Sequence, residues 1–242
     1  MSFTVGLSGW QCWASGLDSA LPWRAWIDGD AHLVPSDGPA LKDVKPIQRR
    51  RLSPIGRGAF FVAKQCLGDT KPVATVFCSA HGEGGRTFEL LDAIASSTPL
   101  SPNTFSLSVH NSIAGLFGIF NGETAPSVTV AAGQDGIGVA FSEGWGMLED
   151  YASGDALVVL YDDAMPEPFG VGVDAPMAGV AAAFRLSRDA AVPRYRLDRE
   201  PPSGTASASH WSQIRDLVDF LQTGRERLVL RSDRVDWHWT AL

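Results

Sequence analysis

Apolar positions along the chain fall into runs that predict strands alternating with helices. Phe3 to Ser8 alternates apolar and polar residues up to Gly9, as an opening strand with one covered face does. Pro35, Gly38, Pro39 and Pro46 then punctuate a long ordered excursion. Ser53-Pro54 supplies an N-cap followed by proline at the first helical position, and predicts a helix ending near Leu67-Gly68. Val73 to Cys78 is short, apolar and β-branched, the signature of a buried strand. Phe88, Leu90, Leu91, Ala93 and Ile94 recur at helical spacing within Thr87 to Ser96, and one continuous helix is expected over Phe105 to Phe120, stopped by Asn121-Gly122.

Further along, Ser127 to Ala131 reads as a strand and Asp135 to Tyr151 as a helix closed by Ser153-Gly154. Ala156 to Tyr161 and Val180 to Leu186 are strong buried strands, the second reached through a Pro/Gly-rich loop. Arg194 to Leu197 is a weaker strand, Trp211 to Leu221 a helix, and Arg227 to Arg231 a last strand. Arg199 to Ser209 is the most linker-like stretch, and no internal repeat is evident. This alternation predicts an α/β fold with helices on both faces of one sheet.

Composition narrows the choice. A chain of 242 residues, 45% hydrophobic, fills a core with ease and is neither disordered nor collagen-like. Twenty basic against 27 acidic residues give a net charge of −7, which disfavours nucleic acid as a partner. No apolar stretch approaches the length of a membrane span, and the first positive charge, at Arg24, comes too late for a signal peptide. Three cysteines (Cys12, Cys66, Cys78) without metal-ligand spacing fit a reducing, cytoplasmic setting.

Bare motifs supply no active site. Gly6-Leu7-Ser8-Gly9 lacks the spacing of a hydrolase elbow, and Gly136-Ile137-Gly138 and Gly170-Val171-Gly172 lack the third glycine of a dinucleotide fingerprint. The five histidines (His32, His81, His110, His210, His238) show no zinc spacing, so neither metal nor cofactor is expected. Asp162-Asp163, at a strand end, reads as a solvated pair. A small hydrolase or acyltransferase using Ser112 or His110, or a stand-alone acyl-binding module, stays open as an alternative.

The segment from Leu100 to Asp155 resembles the β-ketoacyl synthases. Ser101-Pro102, Asn111, Ala114-Gly115 and Pro126-Ser127 match the family's run from the dimer-interface helix to the strand before the nucleophile. Thr4 to Gly9, Arg50 to Ser53, Gly154-Asp155 with the strand after it, and Ala178 to Leu186 extend the likeness more weakly. The resemblance implies a thiolase-like half-fold, a mixed sheet with helices on both faces. Residues 1–190 would form a ketosynthase N-terminal-like domain, with 191–242 as a C-terminal extension (strand, linker, helix, strand) packed on it. In the family the nucleophilic cysteine lies eight residues beyond the proline. Here that residue is Gln134.

The substitution bears on chemistry. Condensation needs a thiolate activated at a helix N-terminus to carry the acyl chain, and two histidines to promote decarboxylation. The family draws those histidines from a C-terminal half that has no counterpart in this sequence, and His81-Gly82-Glu83-Gly84 reads as a loop rather than as one of their motifs. The resemblance therefore implies a non-catalytic chain length factor, in which glutamine replaces cysteine, and a cysteine-containing β-ketoacyl synthase as heterodimer partner. Ser79 to Glu83 and Ser108 to Asn111 are similar to stretches in short ketosynthase-like proteins of aryl polyene systems. Asn111, Phe117, Phe120, Val128, Val130 and Gly133 would then lie at the interface or acyl tunnel. Arg49, Arg50, Arg51 and Arg57 form a basic group that reads either as a solvated helix start or as a patch able to attract an acyl carrier protein. The tryptophans near the two ends (Trp10, Trp13, Trp23, Trp26, Trp237, Trp239) are expected either to pack the C-terminal strand against the N-terminal excursion or simply to fill the core.

Overall fold

A computed structural model describes residues 1–17, 23–68, 73–151, 154–167, 169, 175–204 and 209–242. Part of the Pro/Gly-rich loop before the strand at Val180, the Ser153 helix stop and the middle of the expected linker fall outside these residues. The elements in chain order are β1 (Ser2–Ala14), α1 (Trp23–Ile27), α2 (Pro46–Arg49), α3 (Pro54–Leu67), β2 (Ala74–Cys78), α4 (Gly84–Ala95), α5 (Pro102–Leu107), α6 (Ser112–Asn121) and β3 (Ser127–Val130). A 3₁₀ turn (Gly133–Asp135) leads into α7 (Gly136–Asp150), followed by β4 (Asp155–Asp162), β5 (Val180–Ser187), β6 (Arg194–Glu200), α8 (His210–Thr223), β7 (Arg227–Arg231) and β8 (Asp236–Ala241).

The strands form one eight-stranded sheet in the order β3-β2-β4-β5-β1-β6-β8-β7. β2 runs parallel to β3 and β4, and the remaining neighbours are antiparallel. Period-two alternation in the central strands divides the core in two. Val76, Cys78, Val158, Leu160, Ala182 and Phe184 point to a face covered by α7 and α8. Phe77, Leu157, Val159, Tyr161, Ala181 and Ala183 point to the opposite face, under α3 and α6. Strands covered on both sides read as unbroken apolar runs, which is why β2, β4 and β5 stand out in the sequence. The thiolase-like mixed sheet with helices on both faces is thus the observed fold.

Three expectations need correction. β1 does not stop at Gly9: its pairing shifts register between Leu7 and Gly9, and it continues to Ala14 opposite Val180. Its first half pairs β6 instead, so one strand serves two neighbours. The helix expected over Phe105 to Phe120 is two helices. Ser101 caps the first, with Pro102 at its start, and Ser108 ends it by returning its hydroxyl to the Phe105 carbonyl at 3.0 Å. The run Ser108 to Asn111 offers the backbone side-chain partners that compete with helical bonds, and Asn111 takes a non-helical conformation before α6 begins. Finally, β8 was not foreseen, although Trp237 and Trp239 point inward and His238 and Thr240 outward in strict alternation.

The tryptophans divide between two jobs. Trp23 and Trp26 of α1 stack edge to face at 5.0 Å, and Trp26 reaches Trp211 of α8 at 6.4 Å. Trp237 and Trp239 instead enter the core against Phe3 and Phe141. The C-terminal helix, rather than the C-terminal strand, meets the N-terminal excursion.

Candidate functional site

The site begins where β3 ends. Val128 and Val130 are half-buried on this edge strand, which has β2 on one side and, among the described residues, no strand on the other. Gly133 follows with φ +57°, a left-handed conformation that turns the chain sharply into the 3₁₀ turn. Gln134 sits in that turn, half-buried, two residues before the first residue of α7. Its Oε1 accepts a hydrogen bond at 3.3 Å from the backbone N–H of Asp233, in the turn between β7 and β8. Asp135 beside it accepts a bond from Ser232 Oγ. A cavity of about 400 Å³ opens here, lined by Gly133, Gln134, Val139, Ser232 and Arg234.

Behind the turn, Gly136 and Gly138 of α7 are places where only glycine fits. A β-carbon on Gly136 would stand 2.5 Å from His210 Cδ2, and one on Gly138 would collide with the Trp237 ring. The fragment that fails as a dinucleotide motif is therefore a packing motif.

The groove side of the site lies between α6 and β3, a cleft of about 430 Å³ lined by Asn111, Gly115, Gly118, Ser127 and Thr129 among others. Asn111 is exposed at its rim and Phe120 is half-buried. Phe117 is not a surface residue. It is 2% exposed and packs on Phe60 and Phe77 with ring centroids 5.2 and 5.6 Å apart. A charge there would break the core before it could separate subunits. Ile119, 70% exposed, is the apolar residue that α6 shows to solvent.

The basic group also splits. Arg49 donates to the carbonyls of Ala40 and Leu41, and Arg57 to that of Asp37, so both hold the N-terminal excursion in place. Arg50 and Arg51 remain exposed. Ser112 and His110 do not form a nucleophile–base pair: His110 Nε2 lies 3.1 Å from the Ser79 carbonyl, and Ser112 is buried at the start of α6. His81 lines a separate polar cleft with Glu83, Arg86 and Asp163. Glu83 there is buried, and accepts from Ser53 Oγ at 2.6 Å and Arg86 Nε at 2.8 Å.

One constellation lies outside every local sequence motif. Asp162 is not solvated but 1% exposed, at the end of β4. Its Oδ1 accepts from Ser79 Oγ at 2.8 Å and the Ala80 N–H at 2.9 Å, and its Oδ2 meets His210 Nδ1. His210 Nε2 lies 3.6 Å from Cys78 Sγ, which donates to the Gly136 carbonyl at 3.4 Å. Burial works against charge on His210, but the attraction of Asp162, with Cys78 and hydrogen bonds to both, outweighs it and lifts the imidazole up to about 10. Burial likewise pushes the Asp162 carboxyl up, yet His210 and the bonds from Ser79 and Ala80 bring it below the ordinary carboxylate range. Asp163 goes the other way: burial raises it, helped by Glu83 and Asp162. The three partners stand at residues 78, 162 and 210, a spacing that no local motif could reveal.

A thiolase-like sheet whose β3 turns through Gly133 into the N-terminus of a central helix defines the ketosynthase class of fold. The family described as β-ketoacyl synthase, N-terminal domain, matches residues 23–240, and the chain belongs to that family. Among solved structures, the chain is similar to one of a ketosynthase (ApeO) in complex with its chain length factor (ApeC) from Xenorhabdus doucetiae. The TM-score is 0.80 at 24% identity, over 98% of this chain and 99% of that one. The ishigamide ketosynthase/chain length factor follows with TM-score 0.60 and 16% identity, over 83% and 68% of the two chains. Ketosynthase twelve of the bacillaene polyketide synthase from Bacillus amyloliquefaciens matches with TM-score 0.56 and 14% identity, over 91% of this chain and 49% of that one. No curated protein matches the sequence.

Proposed function

We propose that this chain is a chain length factor-like, non-catalytic partner of a cysteine-containing β-ketoacyl synthase in fatty acid or polyketide synthesis, of the aryl polyene type. The observation that carries the reading is Gln134, held in the turn at the N-terminus of α7 where a condensing enzyme needs its thiolate. An amide there is compact and uncharged, and forms no thioester. The edge of β3, unpaired among the described residues, the cleft beside it and exposed Ile119 form the surface a ketosynthase would cover and through which this chain would shape the acyl tunnel. Arg50 and Arg51 are the positions left to steer an acyl carrier protein in the cytoplasm. Co-expression with the cognate ketosynthase tests this: a one-to-one complex that condenses malonyl-loaded carrier is expected, with neither this chain nor its Gln134→Cys variant active alone. A stable monomer that ignores that ketosynthase at micromolar concentration would overturn the reading.

A further inference from the structure

Cys78, Asp162 and His210 have the composition of a nucleophilic triad, but the thiol is 0% exposed and the imidazole 3%. A sealed thiol of this kind meets no substrate, so the group must act on the protein itself. Its position shows on what. His210 begins α8, packs on Gly136 at the first turn of α7, and pairs with Asp162 across the end of the sheet. On the outer side of the same turn, Ser232 and Asp233 bond to Asp135 and Gln134. The stretch 133–136 is thus clamped between two parts of the C-terminal segment, the His210–Asp162 contact behind it and the β7–β8 turn in front.

We propose that the Asp162–His210 pair, seated on Cys78, is a buried ionic latch through which residues 209–235 set the conformation of the Gln134 turn. His210 is a positioning residue, and the C-terminal segment is part of the site rather than an appendage to it. The latch stands on contacts within this chain and does not depend on the identity of any partner. Among the described residues, the other ionisable groups on the elements around α8 pair elsewhere or face solvent. Asp135 bonds Ser232, Arg231 lies by Asp236, Arg185 by Asp155, and Arg24 by Asp28 and Asp219. Arg227, Glu143, Glu149 and Asp150 are exposed, which leaves Asp162 and Cys78 facing the imidazole.

The sign of the pH effect follows from the pair. His210 is raised by folding, so its contribution is complete below its unfolded value of 6.5 and is lost as pH climbs toward about 10. Asp162 is lowered, so its contribution is present above 3.8 and lost in acid. Hydrogen exchange on the intact chain, corrected for the intrinsic pH dependence of the amides, reads the His210 limb directly. Between pH 6 and 9 the amides of 133–138 should lose protection about tenfold or more, while those of β4 and β5 hold. His210→Gln should show the weakened level already at pH 6, without the pH step, and iodoacetamide should reach Cys78 at least about tenfold faster while Cys12 and Cys66 are unchanged. Should that variant fail to fold, the wild-type profile and Cys78→Ala, which keeps the ion pair and must keep the step, decide the matter. A flat wild-type profile, or a step that survives in His210→Gln, overturns the latch.

Discussion

The two edges of the sheet are built to opposite specifications. At one end β7 (sequence RLVLR) is a short strand with exposed arginines at both ends, hairpinned to β8. Charged, short edges of this kind resist pairing with another chain. At the other end β3 (sequence SVTV) carries no charge, is half-buried with no second neighbour among the described residues, and borders an open cleft and an exposed isoleucine. The same sheet closes one side and offers the other. An edge strand left uncharged beside apolar surface is a place where a partner is expected.

The largest effect on partner binding should come from charging the open edge. Val128→Asp is expected to weaken association with the cognate ketosynthase by about a hundredfold or more, the ~3 kcal/mol scale of an unpaired charge in an interface. Val229→Asp, on the closed edge, should change it less than about threefold, and titration calorimetry on the two variants compares them directly. Next, Phe117→Ala should cost roughly 3–5 kcal/mol in chemical denaturation, because it leaves a hole between Phe60 and Phe77. Ile119→Asp, two residues on and exposed, should leave the midpoint within about 0.5 kcal/mol while still weakening the complex. The smallest effect belongs to the protected edge. Arg227→Val with Arg231→Val should leave partner binding intact but produce weak self-association, visible by sedimentation above roughly 100 µM.

Much of the fold could be read from the chain because its signals are local. Ser53-Pro54, Gly122 and the apolar runs of β2, β4 and β5 each mark an element within a few residues. The resemblance located Gln134, since its offset from Pro126 is a local count too. What escaped was long-range. Asp162 at a strand end reads as solvated until His210, 48 residues later, is folded over it. Phe117 looks like interface material because an apolar helix face does not say whether its own core or another chain will cover it. The break between α5 and α6 was legible in Ser108 to Asn111 and was outweighed by the apolar residues around it.

The sheet order carries a consequence for synthesis. β2 pairs with both β3 and β4 within a single stretch of chain, and the three can assemble as soon as they emerge. β1 is made long before them, yet both of its neighbours, β5 and β6, follow some 170 residues later. At a translation rate of about 5–20 residues per second, the opening strand waits on the order of 10–30 s with Phe3, Val5 and Leu7 uncovered. Its partners must close over a loop nearly as long as the protein, the slowest kind of contact to form. A ribosome-bound chain stalled once β4 has emerged, with β5 still in the exit tunnel, should therefore present its N-terminus to proteases and chaperones while the parallel centre of the sheet is already protected, and release of β5 and β6 should end that exposure.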